Sequence, residues 1–535
     1  MWSLTFYGGV GEIGGNKVLV DDGSSRLFLD FGKSYKRMGD FYEEFLQPRT
    51  NNALRDLLGL GVIPKLHGIY RRDFLELEGI DETLEQMGIS ESSMWKVELR
   101  NYEQELALSG RPWLDGVVVS HAHFDHFADI CVLDERIPIY CSPITRALIE
   151  ISQDVARGGF QYEFLGLNKK RIDAVRSSQA YFPGEVTLRS DEVAREVRVI
   201  ESGQVAIGSF QVAALPVDHS VLGAQAFVVT DSEGKRILYT GDLRFHGRRN
   251  DWSQSFRQAV QGLRPDALIV EGTRIDEDEP DSEAQVGEEC ERLVRQANEA
   301  GVLVFVSFHW KDTTRYQTLK EVAERTGRIL VISSRLAYAI NRLKDFPEAN
   351  LRAVEQEPNV GVYLQRVNSM LYSRGDYVNT KYDLGYSVSW DRKDPASIDT
   401  RHHENGVRAY QIKENPSRYI LHLDYFELNE LIDLAPLQGA LFIRAVSEPF
   451  DQEGELEEQR LNNWLRHFGL NPPEHKPRYV HASGHASGPE LLGMIREIKP
   501  RVLLPVHTER PEYFEELKRD GIEVRIPSYG KPIYF

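Results

Sequence analysis

The sequence predicts an α/β protein in which one α/β domain is split by a second α/β domain built on a parallel sheet. Three observations carry this expectation. At 535 residues the chain is too long for a single compact core. Short strand patterns separated by Gly-rich turns fill its beginning and return only at its end. Between them, strands alternate with helices, the pattern that a parallel sheet requires.

In order, the opening strands are expected at 4–7, 17–20 and 26–30. A charged, helix-leaning segment from 35 to 110 interrupts them. Strands resume at 116–120 and 137–141, and Pro143 opens a helix to 156, because proline at the first helical position forfeits no hydrogen bond. Strands at 210–215, 226–230 and 236–239 follow, the last two joined by the turn Asp231-Ser232-Glu233-Gly234. Character changes after Glu271. Val286, Cys290, Leu293, Val294 and Ala297 fall at helical spacing within 282–300, and Gly301 closes that helix. A strand at 302–307, a helix at 313–326, a strand at 328–332 and a helix at 335–344 come next, and 360–434 is mixed in pattern. Beyond a helix at 455–468 and the linker Asn471-Pro472-Pro473, strands at 479–481 and 501–505 each lead into a helix. The expected limits are 1–280 and 473–535 for the split domain and 281–472 for the inserted one.

Composition narrows the class. Hydrophobic residues make up 41% and charged residues 27%, as in ordinary globular proteins. No apolar run long enough to span a bilayer occurs, so no membrane is expected as a partner. The first residues lack the basic and apolar regions of a signal peptide. Cys131, Cys141 and Cys290 form neither a disulfide framework nor a zinc knuckle. A cytoplasmic location is expected, with any metal held by His and carboxylates. The formal charge of −18 disfavours a protein that coats nucleic acid non-specifically. It does not exclude a metal nuclease, whose ions supply positive charge where a phosphate sits.

The strongest local signal is His121-Ala122-His123-Phe124-Asp125-His126 after the apolar run Val117-Val118-Val119-Ser120. Side chains alternate along an extended chain, so His121 and His123 face one side and can share a metal, while Asp125 and His126 in the following loop can face a second. Zinc suits imidazole and carboxylate ligands in a site that keeps an open position, with Mn²⁺ or Mg²⁺ as alternatives. Further ligands can come from strand ends: His219 in Pro216-Val217-Asp218-His219, Asp242 in Tyr239-Thr240-Gly241-Asp242 as a bridge, and His507 in Leu504-Pro505-Val506-His507.

These segments resemble the motifs of the metallo-β-lactamase superfamily, and Leu29-Asp30-Phe31-Gly32 resembles its first motif, in which Asp30 would orient ligands. Glu271 in Val270-Glu271-Gly272, His485 in Ser483-Gly484-His485-Ala486-Ser487, and His507 are similar to motifs A, B and C of the β-CASP group. Gly8-Gly9-Val10-Gly11-Glu12-Ile13-Gly14 and the closing motifs resemble the ribonuclease J family. The resemblance implies a metallo-β-lactamase αββα sandwich interrupted by an inserted β-CASP domain with a parallel sheet. It also implies two zinc ions and hydrolysis of RNA, exonucleolytic from the 5′ end, endonucleolytic or both. A DNA exonuclease and a small-molecule metallo-hydrolase are the alternatives; a His at motif C favours RNA, since DNA-directed members carry Val there. In catalysis His485 would protonate the leaving oxygen, Glu271 would orient its imidazole, and Asp30 and Asp125 would support the centre. The family's C-terminal self-association domain is expected to be absent, and the 35–110 segment is longer than its family counterpart, so a homo-oligomer is left open.

Substrate contacts are expected from Ser307, His309, Lys311 and Arg315, with Trp310 or His309 stacking on a base, and from Ser483 and Ser487. Ser487 reads as a helix N-cap before Pro489, and helix N-termini favour phosphate. Arg244, Arg248 and Arg249 form a basic cluster beside Asp242, and His402-His403 reads as a surface loop.

Overall fold

The computed structural model describes residues 2–43, 45–50, 52–86, 97–156, 158–176, 185–201, 203–278, 281–366, 405–447 and 452–535. Two sheets form the split domain. The first runs Pro532–Tyr534, Ser3–Phe6, Val18–Asp21, Arg26–Leu29, Gly116–Val118, Ile139–Cys141 and Val197–Val199. The second runs Glu523–Val524, Val502–Val506, Ala267–Glu271, Arg236–Tyr239, Gln225–Thr230, Phe210–Pro216 and Gln204–Ile207.

The period of two along each strand decides how these sheets stack. Leu4, Phe6, Val18, Val20, Leu27 and Leu29 from the first sheet meet Phe210, Val212, Phe227, Val229, Ile237 and Ile269 from the second in one buried cluster. Each such side chain contributes about 1.5–3 kcal/mol by leaving water. The intervening residues point outward. Phe28, Val117 and Ile139 pack with Leu148 and Ile151 of the helix Pro143–Asp154. On the other side Leu238, Leu268 and Leu503 pack with Phe256 of Asn250–Val260 and Leu491 of Gly488–Ile498. Helices on both outer faces complete the αββα sandwich that the sequence predicts.

The first sheet changes direction where 35–110 is inserted. Strands 3–6, 18–21 and 26–29 pair antiparallel, but Arg26–Leu29 pairs parallel with Gly116–Val118. A parallel pair needs a crossover, and the helices Tyr35–Gly39, Ala53–Gly59, Arg72–Leu75, Ile80–Gln86 and Tyr102–Ser109 lie within it.

The inserted domain carries a third sheet, in the order Gly406–Val407, Val360–Tyr363, Ile329–Ile332, Tyr419–His422, Val304–Ser307, Leu441–Arg444 and Arg478–Tyr479. Every described pairing in it is parallel. The helices Glu283–Ala300 and Thr313–Thr326 cover one face through Val294 and Leu319, while Leu461 and Leu465 of Gln452–His467 cover the other against Phe305 and Phe442.

Two elements differ from expectation. Arg478–Tyr479 pairs with Ile443 and Arg444, so the inserted sheet runs past the expected limit at 472. A two-residue edge strand behind a Pro-Pro step reads in sequence as the start of a new unit. The hairpin Gly166–Arg176 with Glu185–Ala194 has no counterpart among the expected strands. Its strands set charges opposite one another, Lys169 across from Asp191, in place of one apolar face. His402-His403 and parts of 35–110 and 360–434 lie outside the described residues.

Candidate metal centre and active site

The expected ligands converge at one end of the sandwich because each follows a strand. His121 and His123 lie just past Gly116–Val118, His219 past Phe210–Pro216, Asp242 past Arg236–Tyr239, and His507 past Val502–Val506. Asp125 and His126 are not in a loop. They belong to the one-turn helix Phe124–Phe127, entered from the extended residue His123.

Nε2 of His121 lies 3.1 Å, and Nε2 of His219 lies 3.0 Å, from Nδ1 of His123. The Oδ2 of Asp242 is 3.6 Å from His121 and 3.9 Å from His219. The same oxygen is 3.0 Å from Nε2 of His126 and 3.6 Å from Nε2 of His507, which is 3.1 Å from Asp125. Asp242 thus stands between two groups of donors.

These residues fit a metal pair better than they fit one another. One proton on Nδ1 of His123 could serve one of its two imidazole contacts, not both. Nε2 of His126 and Oδ1 of Asp242 are buried and make no hydrogen bond among the described residues. Nitrogens held about 2.0–2.1 Å from a tetrahedral zinc would stand roughly 3.3 Å apart, close to the spacing seen. Burial, then the neighbouring imidazoles His126 and His219, push the pKa of His121 well below the usual histidine range; burial, then His219, does the same to His123. Burial lowers His219 to about 3. Neutral imidazole is the form that binds metal. His126 goes the other way: burial opposes its charge, but Asp242, Asp125 and Asp30 outweigh it and raise the pKa.

Behind the ligands, each imidazole's other nitrogen has a partner, which fixes ring and tautomer. His219 donates from Nδ1 to the carbonyl of Gly484 at 2.5 Å. Nδ1 of His507 lies 2.8 Å from Thr273 Oγ1, and Nδ1 of His121 lies 3.0 Å from Ser120 Oγ. Nδ1 of His126 sits 2.7 Å from Asp30. Asp30 also accepts from the backbone and hydroxyl of Ser120 at 2.6 and 2.7 Å and from the Tyr239 hydroxyl at 2.5 Å. Asp30 and His507 hold left-handed φ values of 58° and 51°, a conformation that costs about 1 kcal/mol or more and persists only where surroundings fix it.

His485 and Glu271 form a second unit at the rim. Nδ1 of His485 lies 3.0 Å from Glu271 Oε2, and Glu271 accepts backbone N–H groups from Leu243 at 3.1 Å and Thr273 at 3.2 Å. Burial works against charge on His485, but the carboxylates of Glu271, Asp242 and Asp125 hold its pKa above the usual value. The imidazole keeps 20% of its surface accessible, so one edge is reachable.

The expected substrate contacts divide. His309 faces the cleft, its ring 6.5 Å from that of His123, and burial followed by Lys311 lowers its pKa to about 4. Ser307 ends its strand and donates to Asp424 at 3.4 Å. Trp310 is buried and stacks on His309 at 5.8 Å. Lys311 is corrected: its ammonium is buried, donates to the carbonyl of Ala122 at 2.8 Å, and lies 4.2 Å over the Phe124 ring. Arg315 is corrected as well, being buried and paired to Glu283 at 2.8 and 3.0 Å. In both cases the charge is used inside the protein, which a sequence cannot display. Ser483 accepts from the backbone of His485 at 3.1 Å, and the Ser487 hydroxyl donates to Glu490 at 3.1 Å. Arg244 is buried 3.4 Å from Asp218, Arg248 pairs with Glu321, and Arg249 pairs with Asp251 at 3.2 Å.

Ser120, Tyr239 and Thr273 position the ligands without any signal in the sequence, because nothing local marks a hydroxyl as the partner of a distant histidine. The glycines of the opening segments do carry a usable signal. A Cβ on Gly14 would meet Asp125 Oδ2 at 2.6 Å, and one on Gly32 would meet the Asp125 carbonyl at 1.7 Å. The metal loop lies directly on that backbone.

Fold and site together have the metallo-β-lactamase architecture with an inserted parallel-sheet domain, and the site's motifs resemble those of the β-CASP group. Residues 98–310 match the beta-lactamase superfamily domain, and residues 476–527 match the Zn-dependent metallo-hydrolase RNA specificity domain. The particular relatives carry the name ribonuclease J. The chain is 22% identical to that of Sinorhizobium meliloti over 78% of its own length and 61% of the relative's. It is 21% identical to that of Helicobacter pylori over 99% of its own length and 59% of the relative's. The chain spans about three fifths of the length of these curated relatives. Among solved structures, a protein of unknown function from Enterococcus faecalis shares the fold, with a TM-score of 0.64, 21% identity and 100% of both chains covered. The site's donor chemistry and these family matches support metal use. No described helix is long and apolar enough to cross a membrane.

Proposed function

We propose that this chain is a metal-dependent ribonuclease that hydrolyses RNA phosphodiester bonds at a two-zinc centre. The observation that carries the reading is the His485–Glu271 pair, 3.0 Å apart, on the rim of an otherwise complete His/Asp cluster. A small-molecule hydrolase on this scaffold would need the cluster but not the pair. His121, His123, His219 and Asp242 would hold one ion, and Asp125, His126, His507 and Asp242 the other. A bound pair supplies an activated water and neutralises charge on the scissile phosphate.

The chain's own groups do the rest. Glu271, fixed by the N–H groups of Leu243 and Thr273, accepts a hydrogen bond from Nδ1–H of His485. That leaves Nε2 as the donor to the departing oxygen, a role for which imidazole is suited near neutral pH. Asp30 holds His126 from behind and serves orientation alone. The C-terminal ends of the inserted strands, with His309 and Ser307, wall the cleft where a strand would lie. RNA, rather than DNA, is favoured by the RNA specificity domain match and by relatives named ribonuclease J; 5′-to-3′ exonucleolytic cleavage, endonucleolytic cleavage or both are proposed with it.

Matched 5′-monophosphate RNA and DNA oligonucleotides test the reading. The zinc-loaded chain should cut RNA, cut DNA more slowly, and lose both activities on chelation. If both oligonucleotides survive the fully loaded chain, the nuclease reading fails and a small-molecule substrate takes its place.

A further inference from the structure

A cleft of about 420 Å³ opens behind the metal loop, walled by the inserted segment on one side and the sandwich on the other. Tyr35, Lys33, Phe124, Phe160 and Tyr162 line it. Its position is set by the metal site itself. Phe124 stands in sequence between the candidate ligands His123 and Asp125, and its carbonyl accepts from the backbone of Lys33 at 2.9 Å. Tyr35 keeps 46% of the residue accessible, so its ring is part of the wall of an open cleft.

The lining has the chemistry of a nucleotide subsite. Phe124 lies 6.3 Å from Tyr162, and the buried Phe164 backs it at 6.0 Å, so the floor is aromatic. Lys33 sits 5.5 Å over the Tyr35 ring and makes no ion pair among the described residues. The other charged group is Asp129, which Lys17 neutralises at 2.9 Å. A cation free of carboxylate partners beside aromatic faces, in a volume within the range of small-ligand pockets, suits one base and its phosphate.

We propose that this cleft binds one nucleobase of the RNA strand being cut, with Tyr35 stacking on the base and Lys33 contacting its phosphate. The inference rests on the ribonuclease reading and deepens it. Part of the inserted segment thereby extends the substrate path past the metals. Stacking is indifferent to base identity, so the subsite grips a strand without selecting its sequence.

The test uses the zinc-loaded full chain and a short RNA in which a single abasic nucleotide is moved along the strand. One abasic position should raise KM about tenfold with kcat unchanged. Tyr35→Ala should raise KM similarly on intact RNA and abolish the penalty at that position. Lys33→Gln should raise KM less. Both residues lie at an accessible wall, so neither variant empties a core. If wild type cuts RNA but no abasic position responds, or the penalty persists in Tyr35→Ala, this inference alone falls. A Tyr35→Ala effect without any abasic-sensitive position also overturns it, since the residue would then act on the metal loop. If wild type cuts no RNA, the ribonuclease reading fails first.

Discussion

The two rows of strand ends that face each other across the cleft treat their charged side chains in opposite ways. On the sandwich side, His121, His123, His219, His126 and His507 turn reactive nitrogens toward one another, and Nε2 of His126 has no hydrogen-bond partner among the described residues. On the inserted side, Lys311 reaches across to the carbonyl of Ala122 in the metal loop, and Arg315 pairs with the carboxylate of Glu283 within its own domain. Buried imidazole and carboxylate atoms left without a protein partner among other such donors are the atoms a metal ion would satisfy. Buried cations bonded to groups of the protein are struts, however close to the site they lie in sequence.

The largest expected effect on this contrast comes from the buried pair. Arg315 joins Glu283 to the carbonyls of Ala445 and Ala482, so it ties two segments of the inserted domain to the approach to His485. Glu283→Gln would leave a buried cation short of its counter-charge and should destabilise the chain by about 3–5 kcal/mol. The double replacement Glu283→Met with Arg315→Met should lose much less. Denaturant unfolding of both variants checks this, and a small loss in Glu283→Gln would return Arg315 to the cleft as a substrate contact.

Lys311 gives a smaller effect with a defined pH sign. Burial lowers its pKa to about 7, while an unfolded lysine sits near ~10.4. Between these values the unfolded chain binds a proton that the folded chain does not, so stability rises with pH. From pH 7 to pH 9 wild type should gain about 2 kcal/mol relative to Lys311→Met. Equal pH dependence in the two proteins would show that the ammonium reaches solvent.

Much of the metal site is legible in the sequence because its signal is local. Three histidines and an aspartate within six residues need no partner to be noticed. The strands are legible where one face is buried, as at 210–216 and 225–230, whose inward residues Val212 and Val229 alternate with outward ones. The hairpin 166–176 with 185–194 is not, because it pairs charges and shows no apolar period. Nor are the roles of Lys311 and Arg315. A positive side chain reads the same in sequence whether it meets a phosphate or Ala122's carbonyl, and only the fold supplies the partner. Tyr239 and Thr273 belong to the same class, since their partners Asp30 and His507 stand 209 and 234 residues away.

The metal cluster and His485 are held to act as one nuclease, the first binding ions and the second moving a proton. Zinc content and RNA cleavage measured together for wild type and His485→Ala test this most directly. Two zinc ions per chain are expected in both proteins, with cleavage in the variant lower by about 10²–10⁴-fold. Undiminished cleavage in His485→Ala with zinc retained would contradict it.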